Sequence, residues 1–552
     1  MPEKSNPENP NPPQRISRHI SRLEWLIVVT SCAAASITAI VWSWRNNALL
    51  NYGDAVAHLH IARRVFDSHR PGLTQLGSVW LPLPHLLMLP FVQIYSWWAS
   101  GFAGVIPSSL AYLAACAGVY RLARHWLSPA PSALALAFFA LNPNLLYLQT
   151  TAMTEPLFVC EMVWVVVLLV EWRASLDSNA KQSRRLLCLI ALVLIAAIFT
   201  RYDGWIMAFL AWTCMGLTLA RRGRLRSPCF WIASILLAAA PIAWFVYNSV
   251  GFGDWLYFAR GPYSAKAVEM NTSVPGSPPH PGWHNPWVAL IFYIKAAELD
   301  AVAAAWGNVL LGLSLLGTAY AWLTARKRAF TGALLLWFPA VFYAYSVAYG
   351  SVPIFVPIWW PHSWYNLRYG MELLPAFALA LGFAAQFVLA AVFEFKPRPR
   401  NHPSTTVVIA LFFAAIAFNT ARMLRECPHV YVEGTKIYEA RRTYDLEIPP
   451  ALRALLAERP GSVVLMDTSV FPEFVAFTGI PLRQTINESD LEFYHAALDA
   501  PAAHAALVLA FDGDEIDRAV KAHPEGLTAV RRFSTAGKPD GTIYTSDEIK
   551  NP

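Results

Sequence analysis

Val79–Trp98 reads VWLPLPHLLMLPFVQIYSWW. Its length suits a membrane span of about 20 residues, yet Pro82, Pro84 and Pro90 interrupt any helix that would cross. Whether it crosses fixes the side of every later element. If it did, the next basic cluster, Arg121 and Arg124, would fall outside, and so would each cluster after it. If it lies in the outer interface, the spans after a first run from Leu23 to Trp44 fall at 101–120, 131–148, 156–171, 187–200, 205–220, 230–249, 301–324, 329–349, 371–394 and 405–422. Arg121/Arg124, Arg173/Arg184/Arg185, Arg221/Arg222/Arg224/Arg226, Arg326/Lys327/Arg328 and Lys396/Arg398/Arg400 are then all cytoplasmic, as the positive-inside rule requires. The sequence therefore predicts an α-helical polytopic membrane protein with about 11 spans. Residues 45–100 form one large outer loop with two interfacial helices.

Composition agrees. The chain has 552 residues, is 56% hydrophobic and only 14% charged, which is too apolar for a water-soluble protein of this size. Its 22 Trp, 21 Tyr and 31 Phe suit wide membrane interfaces. The net charge of +7 is scattered in short clusters between apolar runs, a topogenic pattern rather than a nucleic-acid surface. Six of the seven Cys lie in or against apolar spans, with Cys427 outside them; this argues against a disulfide framework or a zinc site.

Residues 1–22, rich in Pro, Asn and Ser, read as a disordered cytoplasmic tail. Residues 23–425 are the transmembrane domain, with Leu23–Trp44 a retained signal anchor. Residues 426–552 alternate strand-like runs (Ser462–Asp467, Ala505–Phe511) with helix-like ones (Glu488–Leu498, Glu515–Ala522). That pattern predicts a small soluble α/β domain, which the span count puts outside. Asp512-Gly513-Asp514-Glu515 reads better as a turn and helix start than as a cation site.

With that topology the outer span ends carry Asp54, Thr154-Glu155-Pro156, Thr200-Arg201-Tyr202-Asp203, the Asp254–Lys266 segment with Arg260, and His362–Tyr369 with Arg368 and Tyr369. Ionisable groups at membrane depth are costly and line a cavity or pair with one another, so their convergence on one leaflet marks a candidate site. Each has a structural alternative. Asp54 follows Gly53 and can cap the helix beginning at Ala55. His58, one turn on, can reach the Asp54 carboxylate. His60 suits either an interfacial histidine or a substrate contact. Arg63 and Arg64 can pair with Asp67, snorkel to headgroups or bind phosphate. Arg201 and Asp203 can be a local pair, and Trp80 and His85 read as interface anchors.

This arrangement suits glycosyl transfer from a lipid-linked donor. A sugar on polyprenyl phosphate leaves a phosphate at the interface, where basic groups must stabilise developing negative charge, while a carboxylate takes the proton of the attacking acceptor. No G-x-x-x-x-G-K-[ST] or strand-preceded G-x-G-x-x-G nucleotide motif is present. A transporter or flippase of lipid-linked sugars is the alternative; it would favour two similar halves and helices broken at the midplane, and neither is visible. A mere scaffold for the soluble tail leaves the outer acids unexplained.

In Gly53-Asp54 after the first span, Leu81-Pro82-Leu83-Pro84-His85, Thr154-Glu155-Pro156 and Arg368-Tyr369, the chain resembles the GT-C membrane glycosyltransferases. The likeness is strongest to the bacterial protein O-mannosyltransferase and aminoarabinose transferase families, over residues 20–425. The resemblance implies an inverting hexosyl- or pentosyltransferase of the cytoplasmic membrane, active on its outer face, with a polyprenyl-phosphate-linked sugar as donor and membrane lipid as its surroundings. It implies Asp54 as the position of the catalytic acid; the candidate catalytic residues are then Asp54, as general base, and Glu155, to position the acceptor or sugar. His58, His60, Arg63, Arg64, Arg201, Asp203, Arg260, Arg368 and Tyr369 are the candidates for holding substrate. Ala55 stands where these families often carry a second acid, with His58 near the gap; a divalent cation is left open, as is the acceptor. Trp359-Trp360 runs into Pro361-His362 rather than the WWDYG signature of oligosaccharyltransferases, which points away from en bloc glycan transfer.

Overall fold

The computed structural model describes residues 20–272, 278–325, 332–393, 403–469, 471–535 and 537–549. The proposed tail at 1–22 lies almost wholly outside the described residues, as do Arg326/Lys327/Arg328 and Lys396/Arg398/Arg400.

Helix α1 (Arg22–Arg45) starts at a capping box, Glu24 N–H on Ser21 Oγ and Ser21 N–H on Glu24 Oε2, both 3.1 Å. After it come α2 (Gly53–Arg64), α3 (Leu83–Val92) and a short helix, Tyr95–Ala99. The Pro-broken stretch is thus ten helical residues, a break at Gln93–Ile94 and five more, too short to cross in either piece. The bundle continues with α4 (Phe102–Arg124), α5 (Glu155–Ser175), α6 (Ala180–Thr200), α7 (Asp203–Ala220), α8 (Pro228–Phe252), α9 (Pro286–Ala301), α10 (Gly307–Thr324), α11 (Phe338–Tyr349), α12 (Leu374–Phe393) and α13 (Pro403–Glu426). Among the described residues, eight helical segments are long and apolar enough to cross a membrane, and the chain is a multi-pass membrane protein. The expected single span at 131–148 is instead two helices, Pro129–Ala140 and Pro143–Leu148. Asn142 breaks it: its side chain accepts from Leu145 N–H at 3.0 Å and so starts a new helix, with Pro143 at the first position. Helices α5 and α6 extend past the expected 156–171 and 187–200 into the flanking polar motifs.

Helix α5 is the most enclosed. Phe158, Val159, Met162, Val163, Val165, Val166 and Val167 are at most 1% exposed, so its surroundings are protein on all sides. One end of the bundle gathers the basic clusters and their acidic partners: Arg124 with Glu24 (3.5 Å), Arg121 with Glu171 (2.6 Å) and Arg222 with Asp177 (2.7 Å). The polar motifs at Asp54, Glu155, Arg201, Asp203 and Arg368 all lie at the opposite end.

Beyond α13 the helix breaks at Cys427 (φ 64°), and α14 (His429–Glu458) follows. A five-stranded sheet follows, in the order β2-β1-β3-β5-β4, with β1 (Val464–Leu465) parallel to β2 (Thr485–Ile486) and β3 (Leu507–Phe511). β5 (Gly541–Ser546) runs antiparallel to β3 and to β4 (Leu527–Phe533). β3 is buried at all five positions, as expected of a central strand covered on both faces. Asp512-Gly513-Asp514 forms a turn, and Asp514 caps the helix Glu515–Ala522 through Asp517 N–H.

Candidate active site

Asp54 sits in the first turn of α2, Glu155 in the first turn of α5, Arg201 directly after α6 and Asp203 at the start of α7. Arg368 lies on the 3₁₀ turn Leu367–Leu373 that leads into α12. Arg368 joins three carboxylates with its three guanidinium nitrogens: Nη2 to Asp54 Oδ2 at 2.6 Å, Nε to Glu155 Oε1 at 3.1 Å and Nη1 to Glu433 Oε1 at 3.4 Å. Arg201 makes a second hub. It reaches Glu155 Oε1 (3.3 Å), Asp203 Oδ2 (3.1 Å) and Glu372 Oε1 (3.5 Å), and donates to Tyr343 Oη (2.9 Å) and Thr154 Oγ1 (3.0 Å). Glu155 is shared by both arginines, so the hubs form one network. Planar guanidinium forks suit such divided pairing, which an ammonium could not reproduce.

Aromatic rings support the forks. Both guanidinium carbons lie 5.0 Å from the Tyr369 ring, and that of Arg368 also lies 5.3 Å from Tyr52. Tyr293, Tyr343 and Tyr369 stack in sequence, at 4.7 and 5.2 Å between centroids. Glu155, Asp203, Glu372 and Glu433 are at most 2% exposed, whereas the Asp54 side chain is 44% exposed. Asp54 is thus the carboxylate of the network that an incoming molecule meets. Five carboxylates face two guanidiniums, and one oxygen each of Glu155, Glu372 and Glu433 is buried with no hydrogen-bond partner. Such oxygens are acceptors in want of a donor. Among the described residues, no group of three or more His, Cys, Asp or Glu is arranged to hold a metal ion; the carboxylate oxygens that converge here do so on arginine.

The other sequence candidates lie elsewhere. His58 does not bond Asp54: its Nδ1 is 2.8 Å from Nε2 of His85, and its ring packs on Trp80 at 4.6 Å. His85 is fully buried, not an interface anchor; the turn that buries α3 against α2 takes it inward. His60 packs on Trp98 at 5.1 Å. Arg63 pairs with Asp67 at 3.0 Å and donates to Val92 O at 2.7 Å. Arg64 donates to Gln75 O at 2.7 Å and to Ser489 Oγ in the soluble domain. Arg260 is 63% exposed beside Asp254, at 3.8 Å, outside the network.

Glu433, Glu372, Tyr343 and Tyr52 were not among the sequence candidates. Glu372 had a signal, a lone acid in an apolar run four residues after Arg368. Glu433 had none, because it lies on α14, which reads as the start of a soluble tail. That helix docks closely on the bundle: Tyr52 Oη donates to Val430 O (2.7 Å), and Val430 N–H donates to Asn144 Oδ1 (2.9 Å). A Cβ on Gly434 would meet Tyr52 at 3.0 Å and Tyr147 Oη at 3.1 Å.

No protein-family model and no curated protein matches the chain. Among solved structures it is similar to ArnT from Cupriavidus metallidurans bound to undecaprenyl phosphate, at 13% identity and a TM-score of 0.56 over 96% of this chain and 100% of that one. The apo state of the same ArnT aligns at 12% identity and a TM-score of 0.53, over 95% of this chain and 98% of that one. The chain has an ArnT-like fold. This is the GT-C architecture expected from the sequence, and it extends through the C-terminal sheet domain as well as the helices. An oligosaccharyltransferase from Archaeoglobus fulgidus aligns at 12% identity and a TM-score of 0.45, over 95% of this chain and 74% of that one.

Proposed function

We propose that the chain is an inverting glycosyltransferase that moves a sugar from a polyprenyl-phosphate-linked donor to an acceptor at the outer face of the cytoplasmic membrane. The observation that carries the reading is Arg368, held on Asp54, Glu155 and Glu433 at the polar end of an ArnT-like bundle. A fold neighbour was solved with undecaprenyl phosphate, which is a polyprenyl phosphate.

The acceptor oxygen attacks the anomeric carbon from the face opposite the phosphate. The new carbon–oxygen bond forms as the bond to phosphate breaks, and the acceptor proton passes to Asp54, the exposed carboxylate. The phosphate departs with one more negative charge, which Arg368 and Arg201 stabilise from preformed positions. Donor binding draws Arg368 toward phosphate and away from Asp54, which frees the base at the moment it is needed. The unpartnered oxygens of Glu155, Glu372 and Glu433 accept from sugar hydroxyls. Arg260 has no part in this arrangement.

The test is incubation of the purified protein with a panel of polyprenyl-phosphate sugars, measuring release of polyprenyl phosphate. Release that Asp54→Asn abolishes in a folded, inserted protein supports the reading; transfer undiminished by Asp54→Asn removes Asp54 from its role. Movement of intact lipid-linked sugar without release identifies a flippase instead. A cysteine-accessibility scan that found the Arg121 and Arg221 loops outside would overturn the sidedness.

A further inference from the structure

The His58–His85 pair is a buried polar device that the transfer step above does not use. His58 Nδ1 and His85 Nε2 are 2.8 Å apart, and the two residues are 2% and 0% exposed. Two ring nitrogens at that distance share one proton. Either His58 donates and His85 carries its own proton on Nδ1, or His85 donates and His58 carries its proton on Nε2. His85 Nδ1 is buried with no partner. The first arrangement would leave an orphaned N–H there, and such groups are rare in folded proteins. The second leaves only a lone pair. It also leaves an N–H, not a lone pair, on the other ring nitrogen of His58, a residue one helical turn after Asp54 on α2.

We infer that His85 is a positioning residue that fixes His58 as the neutral Nε2–H tautomer, so that His58 presents a permanent hydrogen-bond donor to an oxygen of the sugar donor beside Asp54. This rests on the proposed transfer function for its substrate, but not for the tautomer itself. Burial lowers His58 to about 4 and holds His85 well below its ordinary value, so the pair stays uncharged at neutral pH. His58 therefore does not replace the second acid missing at Ala55. It supplies a donor where an acid would supply an acceptor.

The experiment uses the full chain labelled with ¹⁵N-histidine in lipid nanodiscs, with the His58 signals assigned by their loss in His58→Asn. The expected spectrum shows His58 Nε2 protonated and Nδ1 bare. His85→Leu removes the proton that fixes the tautomer. It is expected to give a mixed or inverted His58 tautomer and to lower kcat for sugar transfer about tenfold, the equivalent of one hydrogen bond, with KM little changed. His85→Gln places an amide N–H where Nε2–H was, and restores both. A wild-type His58 protonated on Nδ1 overturns the inference, as does a His85→Gln protein no better than His85→Leu in both readouts. If the wild type transfers no sugar at all, the proposed function fails while the labelled spectrum still decides the tautomer.

Discussion

Glu433 Oε1 accepts from Asn366 N–H at 2.7 Å and lies 3.4 Å from Arg368 Nη1. A side chain from the helix after the last membrane segment thus holds both the turn and the guanidinium at the centre of the membrane site. Asn366 is in the left-handed region (φ 55°) and 7% exposed, so its N–H depends on this one acceptor. Glu433→Ala is expected to destabilise the protein by about 1–3 kcal/mol through that orphaned donor and the lost ion pair. Glu433→Gln keeps an acceptor oxygen and should recover most of the loss. Thermal unfolding in detergent checks this; an unshifted midpoint for Glu433→Ala would show that the contact does not hold the turn.

Arg368→Lys keeps the charge but gives up the fork that reaches three carboxylates. Sugar transfer should fall at least about a hundredfold, the usual effect of removing one preformed donor from a site of developing charge. Arg260→Ala is the contrast: an exposed residue with a single long contact should change rate by no more than about twofold. Equal losses from the two substitutions would mean that Arg260 closes onto the donor during turnover.

Arg201 acts on stability. Its guanidinium neutralises Glu155, Asp203 and Glu372, whose side chains are at most 1% exposed. Arg201→Gln leaves that buried negative charge without its counter-charge, and a loss of about 3–5 kcal/mol is expected, seen as a sharp fall in folded yield and unfolding temperature. A stable Arg201→Gln protein with normal yield would show that the carboxylates are neutral and do not need it.

Acid should loosen α2 and α3. Burial lowers His58 to about 4 and His60 to about 3 from an ordinary 6.5, and lowers His85 as well. Between those limits the unfolded chain binds protons that the folded one excludes. Stability is therefore fully present above about pH 6.5 and is lost as pH falls toward 4, by up to roughly 1.4 kcal/mol per pH unit for each histidine. The unfolding temperature measured across this range should show the decline. His60→Leu should flatten it by one histidine's share, and a slope unchanged in that variant would remove His60 from the effect.

The membrane architecture was legible because bilayer thickness and loop charge act on composition. Long apolar runs report membrane-spanning helices without knowledge of packing. The three prolines of Val79–Trp98 are likewise a local fact, and the stretch is two short helices. Asp54, Glu155, Arg201, Asp203 and Arg368 stood out for a related reason: a charge at a span end is conspicuous against apolar neighbours. Glu433 did not, because on a polar helix one more glutamate carries no signal.

The sequence by itself thus determined the membrane class, the helical bundle and the gathering of charge at one end, all of which follow from the solvent that each segment prefers. Only the tertiary structure decided the pairings. It put Arg368 on Asp54, Glu155 and Glu433, turned His58 from Asp54 to His85, and left Arg260 outside the network. Hydrogen bonds act over about 3 Å, and distances of that order between residues far apart in the chain are set by how helices pack.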